Sequence, residues 1–362
     1  MSQEEKLLFL LLRDALWRGH EEPPVSLSKE ETSELFEIAE KQAVSGLVIE
    51  ALTRNNVGMP QAKIFEAVGL LELIKAQSWH VNRGIIALHI ILSSEEISYA
   101  IVKGQVVASY YPTPLLRQSG DIDFYLSHEK FKLGLNVIKT EWNVDAEIHG
   151  SEKHADFRHD GNVFEAHFVL TDLLSPERNK YFQELVDKDE GSTVIVDGRE
   201  IRTLSPTLHV LYVFLHLWYH LMALGVGLRQ FCDLAVMLKA NENHNENENL
   251  NLEELRGHLK ALGMEKAYKA CGSILVDYLG LSEANLAYTL TDSDRKYGKR
   301  ILDVVMYRGN MGHHNKLGGF SGWKHKMEAM GIKLAHFVKF YPLSPAYTRQ
   351  WLWHEVVRRN KA

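Results

Sequence analysis

Cysteine is nearly absent: Cys232 and Cys271 are the only two in 362 residues. With no CxxC spacing, neither a disulfide framework nor a zinc site is indicated. That usage suits a reducing cytoplasm. Basic charge is not in surplus either. Forty-one Lys and Arg against 47 Asp and Glu leave a net charge of −6, which argues against a nucleic-acid partner. A cleavable leader is also not indicated, because Met-Ser-Gln-Glu-Glu-Lys carries acid ahead of the apolar Leu7–Leu12. Thr203 to Leu228 lacks Asp, Glu, Lys and Arg, yet His209, Tyr212, His216, Tyr219 and His220 make it a poor hydrocarbon span, and a buried helix is expected. No repeat of solenoid period is visible.

What is present is an ordinary globular composition, 45% hydrophobic and 24% charged, in a chain long enough for a substantial core. Residues 1–96 read as a helical region. Ser28-Lys-Glu-Glu31 is a capping box ahead of Leu35, Ile38, Ala39 and Ala43. Pro60 opens a helix running toward His80, and a further helical pattern covers Ile85 to Leu92. Residues 97–203 alternate short strands with helices, among them a helix from His128 to Glu141 and a hairpin over Thr193–Arg202 with an Asp-Gly turn. From Ser205-Pro206 through 362 the pattern is helical again, with a polar low-complexity loop over 241–249. The C-terminal part is locally basic: Lys316, Lys324, Lys326, Lys333, Lys339, Arg349, Arg358, Arg359 and Lys361 face only Glu328 and Glu355. It reads as a solvated helical surface or as an electropositive wall for an acidic substrate.

The densest chemistry lies in Arg117-Gln-Ser-Gly-Asp-Ile-Asp-Phe-Tyr-Leu126. On a strand, Asp121 and Asp123 point to one face while Ile122 and Phe124 enter a core. Paired carboxylates repel unless a cation lies between them, and a hard divalent ion such as Mg²⁺ fits; the alternative is a surface strand carrying two solvated aspartates. Upstream, the strand-like Ile97–Val102 ends at Lys103-Gly104, and a helix over Gln105–Tyr111 stops at Pro112 and Pro114. Strand, glycine turn and helix start form a geometry in which backbone N–H groups meet phosphate. Downstream, Asn162–Leu170 alternates so that Phe164, Ala166 and Phe168 share one face and Glu165 and His167 the other, following a turn at His159-Asp-Gly-Asn162. Glu165 is the expected third carboxylate, and His167 is either a site residue or a hydrogen-bonded structural one.

In this order of residues (Lys-Gly, Tyr-Pro, Arg, Gly-Asp-Ile-Asp, then Val-Phe-Glu-Ala-His-Phe) the chain resembles the polymerase-β-type nucleotidyltransferase superfamily. More narrowly it resembles the bacterial uncharacterised nucleotidyltransferase family. His216 with His220, Gly227-Leu-Arg-Gln-Phe-Cys-Asp233 and Gly309-Asn-Met-Gly312 fit the narrower group. The wider superfamily carries Gly-Ser or Gly-Gly at the phosphate turn, where this chain has the Lys103-Gly104-Gln105 form of the narrow family. The resemblance implies an α+β fold: a polymerase-β-type core of a small mixed sheet with helices, flanked by N-terminal and C-terminal helical regions. It implies a Mg²⁺-dependent, ATP-binding transferase with Asp121, Asp123 and Glu165 as catalytic and metal-holding residues for two ions. Lys103, Gly104, Arg117 and Arg229 are expected on the nucleotide phosphates.

His209, His216 and His220 recur at i, i+7 and i+11 on one helix face, either packed in a helical core or lining the cleft. Arg229 and Asp233 lie one turn apart, so Asp233 forms a helix ion pair or orients Arg229 toward phosphate. Gly309-Asn-Met-Gly312, followed by His313 and His314, reads as a tight turn closing a helix or as a ligand contact, and His154 lies within reach of the cleft or is structural. The leading expectation is transfer of a nucleoside monophosphate from a nucleoside triphosphate to a hydroxyl of a small molecule, sugar or protein, in the cytoplasm and away from membranes. The rivals are a non-catalytic nucleotide- or partner-binding protein on the same fold, and a metal-dependent phosphohydrolase using His216 and His220.

Overall fold

Two capping boxes set the start of the chain. In the computed structural model, Ser2 with Glu5 caps α1 (Gln3–Trp17) and Ser28 with Glu31 caps α2 (Lys29–Lys41). The structure describes residues 1–19, 23–148, 154–223, 225–240, 250–310, 331, 334–335 and 337–353. Helix α3 (Ser45–Arg54) leads to α4 (Gln61–Ser94), one continuous helix of 34 residues, about 50 Å long. The two separate patterns expected around Ile74 and Ile85 fuse because no proline or cap separates them. Gly84 sits where this helix crosses the start of a strand: a Cβ there would lie 2.6 Å from Asn162 Nδ2. The glycine permits close approach rather than a break.

The central segment contains β1 (Tyr99–Ile101), α5 (Gln105–Ala108), β2 (Ile122–Leu126), α6 (His128–Trp142), β3 (Glu147–Ile148), β4 (His154–His159), β5 (Asn162–His167) and α7 (Pro176–Asp187). Helix α5 is shorter than the expected Gln105–Tyr111. Ahead of Pro112 the chain leaves the helix through turns at Tyr110 and Tyr111 and then makes a 3₁₀ turn over Pro114–Leu116. The five strands form a mixed sheet of order β1-β2-β5-β4-β3, in which β2 and β5 run parallel and the other neighbours antiparallel. The turn between β4 and β5 places Asp160 and Gly161 at φ 44° and 76°, which suits the expected Asp-Gly turn. The same chemistry joins β6 (Ser192–Val196) to β7 (Arg199–Thr203) through Asp197 and Gly198, at φ 50° and 76°.

The remainder is helical: α8 (Pro206–Ala223), α9 (Leu228–Lys239), α10 (Leu252–Ala261), α11 (Glu265–Asp277), α12 (Asp292–Arg308) and α13 (Pro345–Trp353). The fold class is therefore α+β, a small mixed sheet within a mostly helical chain. Among the described residues no helix is long and apolar enough to cross a membrane, and α8 is buried as expected from its lack of charge.

Two apolar clusters organise the packing. One lies between the sheet and helices α4 and α6, and joins Val81, Ile85 and Leu88 to Ile122, Phe124, Leu126, Phe164 and Ala166. The other is larger and is shared by both ends of the chain, packing Leu8, Phe9, Leu35 and Val48 with Phe214, Trp218, Phe231 and Ile274. Polar contacts follow the same pattern: Trp17 Nε1 donates to the Leu279 carbonyl, and Gln42 Nε2 donates to the Val305 carbonyl at 3.1 Å. Helix α4 divides its buried residues between the two clusters. The second sheet face carries Asp123, Glu165 and His167 beside Ala100 and Tyr125, which join the larger cluster.

Candidate active site

Register in β2 and β5 builds the floor of a cleft. The parallel pairing sets Asp123 opposite Glu165 and Tyr125 opposite His167, while Ile122, Phe124, Phe164 and Ala166 go to the apolar face. The alternation read in Asn162–Leu170 is therefore the alternation observed. Asp123, Glu165 and His167 each offer a ligand atom within 4.8 Å of one another, a group that could hold a metal ion. Asp121 lies just ahead of β2, exposed at the rim of the same cleft and outside that group.

Asp123 is buried, and a buried carboxylate must be compensated. Lys103 Nζ donates to Asp123 Oδ1 at 2.6 Å, and His167 Nε2 lies 2.9 Å from the same oxygen and 3.5 Å from Glu165 Oε2. Burial works against the Asp123 charge, yet Lys103 and the His167 hydrogen bond hold the carboxyl far below the usual carboxylate range. Lys103 rises above its ordinary value for the reciprocal reason, Asp123 outweighing burial. The hydrogen bonds of His167 to Asp123 and Glu165 likewise raise its proton affinity against burial. Asp121 is pushed up, first by the charge of Asp123 and then by partial burial. The two aspartates repel, as their spacing predicts.

Lys103 ends the β1 segment, and Gly104 turns the chain at φ 63°, where a side chain would be strained. Val102 N donates to the Asp123 carbonyl at 3.1 Å, tying this turn to β2. The expected phosphate-binding lysine is thus seated on a carboxylate. Its other neighbours are His216 Nε2 at 3.4 Å and the Tyr212 hydroxyl.

Helices α8 and α9 supply the opposite wall. The histidine row splits in role: His209 is fully buried and donates from Nε2 to the Val102 carbonyl at 2.8 Å, whereas His216 and His220 line the cleft with ring centroids 4.3 Å apart. Burial, followed by Lys103, holds His216 well below the ordinary histidine value and brings His220 down to about 4. Nδ1 of His220 is buried with no hydrogen-bond partner among the described residues.

Asp233 does not pair with Arg229. It takes Arg117 instead, through Nε to Oδ1 and Nη2 to Oδ2, each at 2.7 Å, and also accepts from the Tyr111 hydroxyl at 2.7 Å. Arg117 and Asp233 are both enclosed, and the bidentate contact compensates both buried charges. Arg229 donates from Nη1 to the Gln118 carbonyl at 2.7 Å, and its Nε finds no acceptor among the described residues. Burial, and then Arg117, lowers its proton affinity. It is a cleft-lining cation with no carboxylate in ion-pair range among the described residues.

Together Lys103, Gly104, Arg117, Asp121, Asp123, Glu165, His216, His220, Arg229 and Asp233 line one cleft of about 340 Å³. His167 lies beneath it against Asp123, and His154 sits behind His167, with ring centroids 5.3 Å apart. Gln230 and Asn310, named from the sequence only inside the Gly227–Asp233 and Gly309–Gly312 motifs, also line the cleft, and Gln230 Nε2 donates to Asn310 Oδ1 at 2.9 Å. Tyr111 also escaped notice as the third partner of Asp233, because an aromatic beside a proline reads equally well as core. Met311, Gly312, His313, His314 and most of the basic C-terminal residues (Lys316, Lys324, Lys326, Lys333, Arg358, Arg359 and Lys361) lie outside the described residues, as does the 241–249 loop.

No curated protein matches the chain. A solved structure described as an antigenic nucleotidyltransferase-like protein from Paracoccidioides brasiliensis aligns at 15% identity and a TM-score of 0.36, over 60% of this chain and 97% of that one. The family described as uncharacterised nucleotidyltransferase matches residues 28–280, a span that contains every residue of the cleft named above except Asn310. Such a family implies a nucleotide substrate, and the chain belongs to it.

Proposed function

We propose that the protein transfers a nucleoside monophosphate from a nucleoside triphosphate such as ATP to a hydroxyl on a small-molecule, sugar or protein acceptor, in the cytoplasm. The observation that carries this reading is the β2–β5 register, which sets two carboxylates side by side beneath an arginine-bearing wall. The donor set fits a hard divalent cation: Asp123, Glu165 and the nearby Asp121 offer oxygen, with one imidazole at His167. Asp121, Asp123 and Glu165 would hold Mg²⁺, as two ions when the triphosphate is present. Mg²⁺ held there supplies charge neutralisation on the attacking and leaving oxygens of an in-line displacement.

The chain's own groups do the rest. Arg229, with no anionic partner of its own among the described residues, offers a cation to the phosphates, and Arg117 is held rigid beside it by Asp233. The turn at Gly104 permits close approach of backbone, and Lys103 adds a point charge. A carboxylate oxygen of Glu165 takes the proton of the acceptor hydroxyl as the acceptor's oxygen bonds to the α-phosphorus. The bond to the bridging oxygen then breaks and pyrophosphate leaves. Positioning and electrostatic stabilisation dominate such a reaction, with little covalent chemistry left to the protein.

The test is calorimetry of Mg²⁺ with a non-hydrolysable ATP analogue on wild type and Asp123→Asn. Binding is expected in the wild type and not in the variant, with circular dichroism unchanged. Equal affinity in the two proteins would refute the metal assignment.

A further inference from the structure

Three charged side chains in the cleft are cations, and they stand in different conditions. Arg117 is neutralised by Asp233 through two hydrogen bonds. Lys103 is neutralised by Asp123. Arg229 alone lacks an ion pair among the described residues, and its Nε is unpartnered. A triphosphate approaching this cleft without metal therefore meets one uncommitted cation together with the carboxylates of Asp121 and Glu165. A metal ion approaching without nucleotide meets Asp123 Oδ1 already shared by an ammonium at 2.6 Å and an imidazole nitrogen at 2.9 Å. The metal alone finds Asp123 taken, and the triphosphate alone finds, among the described residues, one free cation beside two carboxylates.

We infer that Lys103 is a resident counter-ion of the carboxylate site, which holds Asp123 until a divalent cation displaces it and only then turns to the triphosphate. The inference rests on the metal-dependent reading above and adds the order of events to it. A metal on Asp123 would leave the ammonium beside a dication, with His216 and Tyr212 as neutral partners. Lysine has four side-chain torsions and three donors, so it can redirect toward phosphate without any movement of β1. The released charge is then available when the multiply charged anion arrives. Metal and nucleotide thus each improve the other's affinity, and by linkage the two improvements are equal. The lysine at this turn makes the carboxylate site reluctant toward metal alone and receptive to metal with nucleotide.

The experiment measures Mn²⁺ binding by calorimetry, with and without a non-hydrolysable ATP analogue, on wild type, Lys103→Met, Lys103→Gln and Lys103→Arg. Wild type is expected to bind Mn²⁺ alone weakly and to tighten with the analogue. In Lys103→Met, Mn²⁺ alone should bind at least ~10-fold more tightly, and the factor gained from the analogue should shrink by at least ~10-fold, within the usual range of coupling between sites. Lys103→Gln should behave as Met does, which covers a failure of the Met variant to fold, and Lys103→Arg should behave as wild type. Thermal unfolding gives a second readout: without metal Lys103→Met should melt below wild type, and Mn²⁺ should raise its Tm by more. If Lys103→Met and Lys103→Gln bind Mn²⁺ alone no more tightly than wild type, and the analogue helps them equally, the counter-ion role is overturned while metal-dependent nucleotide binding stands. If wild type binds neither Mn²⁺ nor the pair of ligands, the metal-dependent reading falls and this inference with it.

Discussion

Asp233→Asn offers a demanding test of the cleft's internal support. The substitution keeps shape and one oxygen but removes the charge opposite Arg117, and it places an amide N–H₂ against a guanidinium donor. Asp233 and Arg117 are both buried, and Tyr111 loses a charged acceptor as well. Arg229 stands close enough to lower its own proton affinity through Arg117, so an uncompensated Arg117 would also face a like charge. Breaking a buried pair from one side destabilises by about 3–5 kcal/mol, against about 0–1 for an exposed pair. For 362 residues unfolding as one cooperative unit, an entropy of about 2.1 cal/mol/K per residue converts 3–5 kcal/mol into a Tm loss of about 4–7 °C. Scanning calorimetry at low and high salt should find that loss nearly independent of salt, because buried charges are poorly screened. The double variant Arg117→Met with Asp233→Leu should recover most of the stability while binding nucleotide poorly. A loss below about 1 °C for Asp233→Asn, or a double variant that melts no higher than the single one, would refute the account of Asp233 as an internal anchor.

Two further outcomes follow from named contacts. Glu165→Gln should bind the ATP analogue nearly as wild type yet turn over at least ~100-fold more slowly, the scale of a lost general base, and stopped-flow measurement of pyrophosphate release would show the reverse if Glu165 served only in binding. His209, brought down to about 4 by burial while the unfolded chain titrates near 6.5, should make stability fall as pH drops from about 6.5 to about 4, since only the unfolded state takes up the proton there; the loss approaches about 3 kcal/mol. Above pH 6.5 His209 contributes no slope, and urea midpoints for His209→Gln should show a flatter acid limb than wild type.

Much of the site was legible because strands write their geometry in a period of two. Asp123 with Ile122 and Phe124, and Glu165 with Phe164 and Ala166, each separated a polar from an apolar face before any fold was known. The Asp-Gly turns were equally plain, because few residues tolerate positive φ. Partner choice was not legible. Arg229 and Asp233 are helical neighbours, but Asp233 answers to Arg117, 116 positions away, since only tertiary packing decides which buried cation most needs a carboxylate. Lys103 was read as a phosphate ligand from its turn, and sequence gave no sign that Asp123 would hold it. The identity of the three histidines on α8 was clear, yet their division into one core residue and two cleft residues depends on where β1 crosses the helix. The length of α4 was missed for a simpler reason: a helical pattern without caps has no visible end.

The apolar cluster joining the first helices to α8, α9 and α11 has a consequence for synthesis. Trp17 and Gln42 bond to carbonyls more than 260 positions later in the chain. At about 5–20 residues per second, a ribosome needs roughly 13–50 s to deliver Leu279 after Trp17 has emerged. Throughout that interval α1 and α3 have their local partners but not the surface that completes their core, and Leu8, Phe9, Leu11 and Leu12 stay without most of their final cover. Closing so long a loop carries an entropic cost of about 5 kcal/mol on the logarithmic scale, so the ends join late even once both are available. The sheet can form earlier, because its strands lie within about 70 residues of one another, from Tyr99 to His167. The nascent chain therefore passes through a stage with a formed cleft floor and an unfinished wall, and it is then that an apolar-binding chaperone would find the protein.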